Sequence, residues 1–167
     1  MTRWLLGGLG GLAVVVAVML VWGWLLPVSH VASRSAVIAL SPAAAYARVA
    51  DVPAYPRWWS EMSAVDILPA VAGRPRYREH MRSGPVIFET VAAAPPTRFV
   101  SRIADPDQPF GGTWTFEIAP DADGARVTIT EQGEVYNPMF RFLSRYVFSQ
   151  TANIESCLAA LAMSARP

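Results

Sequence analysis

Two carboxylates stand where an alternating pattern asks for apolar side chains. In "ARVTITEQGEVY", Val127, Ile129 and Val135 share one parity, and Glu131 and Gly133 fall on it with them. In "RPRYREHMR", Tyr77, Glu79 and Met81 share one parity, while Arg74, Arg76, Arg78, His80 and Arg82 take the other. If both segments are strands with one buried face, Glu79 and Glu131 point inward. A lone buried carboxylate is unfavourable unless it finds a partner or holds its proton. Two inward carboxylates are the minimum for acid/base or glycosidase-type chemistry. Spacing gives no separation between them, however, and no third group fixes a mechanism. No residue is therefore assigned as catalytic; Glu131 and Glu79 remain the two candidates, and their expected role is as polar points on an apolar pocket wall. The alternative for Glu131 is that Gly133 marks a β-bulge that turns the carboxylate out to the wet rim.

Little else in the chain offers chemistry. The single Cys157 lies in a helical segment without a neighbouring histidine, which fits a small buried apolar residue. With one cysteine and two histidines, neither a disulfide framework nor a zinc-type cluster is expected. No G-x-S-x-G elbow occurs, so a hydrolase triad has no support. No metal and no cofactor are expected. A net charge of +1, with no lysine at all, leaves no footprint for nucleic acid.

The elements that must position these residues follow from the pattern. "SRSAVIAL" reads as a first strand, and "SPAAAYARVAD" as a helix with Ser41 as N-cap and Pro42 in the first turn. "DVPAYPRWWSEM" reads as a short broken helical turn. "SAVDILPAVAG" and five further segments, separated by "SGP", "APP", "DPDQPFGG" and "DADG", read as an antiparallel meander. In "GTWTFEIAP", Trp114, Phe116 and Ile118 share a face, consistent with an inward Glu131. From Asn137 to about Met163 one long helix is expected. Its stripe is Phe140, Leu143, Val147, Ile154, Leu158 and Leu161, with a gap at Gln150 and Thr151. A curved sheet covered by one long helix leaves a cavity unless large side chains fill it.

The N-terminal run "WLLGGLGGLAVVVAVMLVWGWLLPV" carries no charge and is long enough for a transmembrane helix, with Trp4, Trp22 and Trp24 at its ends. A signal anchor is therefore expected over 1–28, a short linker over 29–33, and one domain over 34–167. The weak positive-inside bias favours a single-pass bacterial inner-membrane protein with its domain on the extracytoplasmic side.

The segments "SPAAAYARVADVPAYPRWW", "PFGGTWTFEIAPDADGARVTITEQGEV" and "NPMFRFLSR", in this element order, resemble the START-like superfamily called SRPBCC, in its polyketide cyclase/dehydrase-like branch. The resemblance runs from about Val31 to Met163. It implies an α+β helix-grip fold: a curved antiparallel sheet of six or seven strands wrapped around a long C-terminal helix. It also implies a hydrophobic pocket for lipids, sterols, polyketides or other apolar molecules. The pocket is expected to be lined by Trp58, Trp59, Tyr77, Glu79, Phe88, Trp114, Phe116, Glu131, Val147, Gln150, Thr151 and Ile154. The expected function is binding of a hydrophobic or amphipathic small molecule near a membrane, with enzymatic activity less expected. The alternatives are a cyclase- or dehydratase-like enzyme with Glu131 as base, or a protein-interaction module that uses the arginine face.

Overall fold

The computed structural model describes residues 2–165, with side chains of the first helix from Gly11 onward. Helix α1 (Thr2–Leu25) leads into strand β1 (Ser29–Ile38), helix α2 (Pro42–Ala50), a 3-10 turn (Val52–Ala54) and the short α3 (Tyr55–Trp58). Six strands follow: β2 (Met62–Val71), β3 (Arg74–Met81), β4 (Gly84–Ala94), β5 (Arg98–Ile103), β6 (Phe110–Asp121) and β7 (Gly124–Val135). Helices α4 (Pro138–Tyr146) and α5 (Ala152–Ser164) complete the chain.

The seven strands form one antiparallel sheet in the order β1-β7-β6-β5-β4-β3-β2. Consecutive strands pair from β2 to β7, and β1 closes the far edge against β7, so the sheet is a meander with one added strand. The α+β helix-grip architecture expected for the domain is present. Helix α2 starts as its residues dictate: Pro42 sits in the first turn, and the Ser41 side chain accepts from the Ala44 N–H. Asn137 caps α4 in the same way, accepting from the Met139 and Phe140 N–H groups. The core lies between the inner face of the sheet and the helices, with Ile38, Val49, Val127, Ile129, Ile154 and Leu161 wholly removed from solvent.

Three expectations are corrected. First, the single C-terminal helix is two. The chain leaves helical geometry between Tyr146 and Ala152, where the Ser149 hydroxyl accepts from the Thr151 N–H. This competes with helix continuation, as serine and threonine side chains commonly do. Second, Ser29–Ser33 are not a linker. They pair residue by residue with β7, from Ser29 opposite Glu134 to Ser33 opposite Thr130.

Third, the transmembrane anchor is not supported: among the described residues no helix is long and apolar enough to cross a membrane. Helix α1 ends at Leu25. Its end is also engaged by the domain. The Trp22 indole donates to the Tyr146 hydroxyl at 3.1 Å, and Arg141 donates to the Leu26 carbonyl at 2.9 Å. Residues 22–26 thus meet a helix that carries Arg141 and Arg145. The inner-membrane placement rested on that span and falls with it. Trp4, expected at one membrane interface, lies outside the described side chains.

Candidate functional site

A cavity of about 520 Å³ opens between the inner face of the sheet and the helical side formed by α3, α4 and α5. Its position follows from strand parity. On β6, Trp114 and Phe116 point inward; on β5, Ser101 and Ile103; on β3, Glu79 and Met81; on β7, Glu131 and Val135. The register places them side by side, with Trp114 opposite both Ser101 on β5 and Glu131 on β7. Tyr55 and Trp59 close one end. The Tyr55 hydroxyl is buried and donates to the Val49 carbonyl at 2.7 Å, and the Trp59 indole donates to Ser156 at 3.1 Å. Indole planes stack from Trp58 to Trp59 at 6.1 Å and from Trp59 to Trp114 at 6.2 Å. These rings form a rigid aromatic wall.

Glu131 faces this cavity. The pairing of β7 with β6 and with β1 runs unbroken through Gly133, so the bulge alternative is excluded. Gly133 does something else: His30 of β1 stands opposite it. A Cβ at Gly133 would come within 2.6 Å of the His30 Nε2. Glycine leaves the space in which the imidazole lies, with its Nε2 3.8 Å from Glu131 Oε1. That distance is too long for a hydrogen bond, and burial opposes charge on both groups. It lifts Glu131 above the usual carboxylate range, against a smaller downward pull from the Trp114 indole, and lowers His30.

Glu79 is more isolated. It is 6% exposed and lines the cavity. Burial alone pushes its carboxyl up to about 8. Among the described residues no arginine pairs with it, and Arg102 on β5 is turned to the other side of the sheet. On the outer face Arg102 and Arg74 both bond Glu89. Burial there pushes Glu89 up, and the two guanidiniums outweigh it, so its carboxyl lies below the usual range. The rest of the arginine face is also engaged. Asp66 takes Arg78 at 3.8 Å and His80 at 2.8 Å, and Arg76 donates to the Ala104 carbonyl at 3.0 Å.

Of the residues expected to line a pocket, Trp59, Glu79, Phe88, Trp114, Phe116, Glu131 and Gln150 do so. The others lie elsewhere. Tyr77 is buried beneath the wall, stacked on Phe88 at 5.9 Å. Trp58 packs edge-on against Tyr55. Ile154 is core. Val147, placed by the helical stripe, is 61% exposed because α4 has ended before it. Thr151 bonds Glu155 at 2.8 Å at the start of α5. Sequence reasoning missed His30, Tyr55 and Ser101 as lining residues. The parity of "TRFVSRIAD" was available as a signal for Ser101; the other two depend on long-range register and helix docking. Cys157 is buried and its thiol is pushed up, by burial and by Glu79, so it is no nucleophile. Among the described residues no cluster of three or more histidine, cysteine or acidic side chains could hold a metal.

Comparison with known proteins agrees with this architecture. The fold is shared with a START superfamily protein from Mycobacterium smegmatis at 22% identity and a TM-score of 0.62, covering 81% of this chain and 97% of that one. It is shared with the aromatase/cyclase ZhuI from Streptomyces sp. R1128 at 13% identity and a TM-score of 0.60, covering 82% and 93%. The di-domain aromatase/cyclase StfQ of the steffimycin biosynthetic pathway matches at 13% identity and a TM-score of 0.66 over 83% of this chain, which spans 51% of that longer protein. At these identities the likeness establishes the fold alone. No curated protein matches the chain. The family model described as polyketide cyclase / dehydrase and lipid transport matches residues 29–165, and the chain belongs to that family.

Proposed function

We propose that the protein binds a hydrophobic or amphipathic small molecule, lipid- or polyketide-like, in the cavity between sheet and C-terminal helices. The observation that carries this reading is the cavity itself: about 520 Å³, walled by aromatic rings, with the carboxyl groups of Glu79 and Glu131 among the few polar points on its sheet wall. Ligand pockets fall in the range of roughly 300–1,000 Å³ and combine apolar walls with a few polar groups that fix orientation. Burial of about 200 Å² of apolar ligand surface supplies about 5 kcal/mol before ordering costs. Space of this size also argues against an interaction module whose pocket is filled. Native mass spectrometry of the full chain tests the proposal. An apolar molecule should co-purify, or added decanol should be taken up stoichiometrically; neither occurring would overturn it.

A second reading is favoured by the His30–Glu131 juxtaposition. Glu131 would act as general base on a polyketide-type substrate, and the aromatase/cyclases that share the fold make that substrate class the first to try. Glu131→Gln should then retain binding and lose turnover; equal turnover by the two proteins removes this reading.

A further inference from the structure

The polar groups of the cavity have one sign. Four carboxylates line it, Glu61, Glu79, Glu131 and Glu134, against one arginine among the described residues, Arg82. Arg82 is 78% exposed at the mouth and pairs with Glu61 at 3.6 Å. Burial works against a charge on His30, the other potential cation. Glu134 accepts from the Tyr136 hydroxyl at 2.7 Å. Glu79, deep in the wall, forms no hydrogen bond or ion pair among the described residues. A buried carboxyl without a partner is an unfavourable feature that a bound cation would relieve. Tyr55 and Tyr77 lie close enough to Glu79 to feel its charge, Trp59 and Trp114 line the same cavity, and aromatic rings attract desolvated cations.

Resting on the binding reading above, we propose that the ligand is an apolar molecule carrying a protonated amine, which seats against Glu79, and that apolar carboxylates and phosphates are excluded. An anionic head group would find no free cation inside and would meet Glu79 and Glu131 in a medium that screens poorly. An ammonium group instead completes an ion pair whose acidic half is already buried, so no new carboxylate has to be desolvated.

The groups that act on Glu79 do not compete with it for protons. Tyr77 on its own strand, Tyr55 on α3 and Cys157 on α5 are all pushed upward and stay uncharged from pH 6 to 9. Burial lowers His30, which disfavours its cation, and raises Glu131, which disfavours its anion. Amine binding needs the ionised Glu79, which is held protonated up to about 8. Amine affinity therefore rises with pH, by about tenfold from pH 7 to pH 9.

The test is isothermal titration calorimetry of the full chain with decylamine, decanol and decanoate, each below its micelle concentration, at pH 8. The three probes share one tail and differ in head-group charge. Decylamine should bind about tenfold more tightly than decanol, and decanoate more weakly than either. Glu79→Gln should remove the advantage of the amine over decanol. In the unmodified protein the decylamine affinity should rise between pH 7 and pH 9 while that of decanol stays flat, a result that needs no variant to fold. If decanol or decanoate matches decylamine, the charge preference is refuted and the binding reading stands. If none of the three binds, the binding reading itself falls and the preference with it.

Discussion

Replacing Glu79 by glutamine should make the protein more stable, by an amount that depends on pH in a defined way. The folded-state carboxyl titrates at about 8 and its ordinary value is 4.5. Between those two values the folded state holds a proton that the unfolded chain has released. Stability therefore falls as pH rises through that window, and the loss is complete above about pH 8. Integrated from 4.5 to 7, the effect is about 3 kcal/mol against the fold at pH 7. Glutamine has the same shape and does not titrate. Near pH 4.5 the amide and the neutral acid are equivalent polar groups in the same wall, so the two proteins should be about equally stable. Urea unfolding followed by circular dichroism at pH 5, 6, 7 and 8 should show the variant gaining steadily, to about 3 kcal/mol at pH 7. A difference that does not change with pH, or a variant less stable at pH 8, would refute the placement of Glu79 as a buried, unpaired acid. Acidic groups kept at such a disadvantage are characteristic of sites where stability has been given up for function.

Gly133→Ala should drive His30 out of its position beside Glu131 and cost about 1–3 kcal/mol. The His30 titration, read by NMR, should move up toward its ordinary 6.5, and an unmoved curve would contradict the close packing. Gly112→Ala should be the more damaging of a matched pair. Gly112 has φ +132, and an added Cβ would press on the Gln132 carbonyl and approach the Gly133 Cα at 2.9 Å, whereas Gly84→Ala, at φ +118, meets open space. The difference between the two, about 1–3 kcal/mol by thermal unfolding, isolates the clash from the backbone term. Cys157 should resist thiol reagents at pH 8 in the folded protein and react on unfolding; rapid labelling of the native state would place it wrongly.

Much of the site was legible because strand parity is a local property. Alternation in "RYREHM" and "VTITEQGEV" was enough to send Glu79 and Glu131 inward, and the turn clusters delimited the meander. What failed depended on distant partners. His30 enters the cavity only because β1 pairs with β7 in the register that sets it opposite Gly133, and nothing in "PVSHVAS" carries that register. The same pairing turns an apparent linker into strand. The C-terminal stripe continued through Val147 at helical spacing, yet local hydrogen bonds around Ser149 and Thr151 outweigh the periodicity there. The N-terminal run was judged by hydropathy alone, and hydropathy does not register the contacts of Trp22 and Leu26 with α4.

Trp58, Trp59 and Trp114 also have an optical consequence. Their indoles lie 6.1 and 6.2 Å apart in near-parallel pairs, close enough for excitation on one to migrate to the next. Two members of the trio, the central Trp59 and the terminal Trp114, form cavity wall. Anything that enters displaces water from the same rings that emit, so occupancy is written into the protein's own fluorescence without a label.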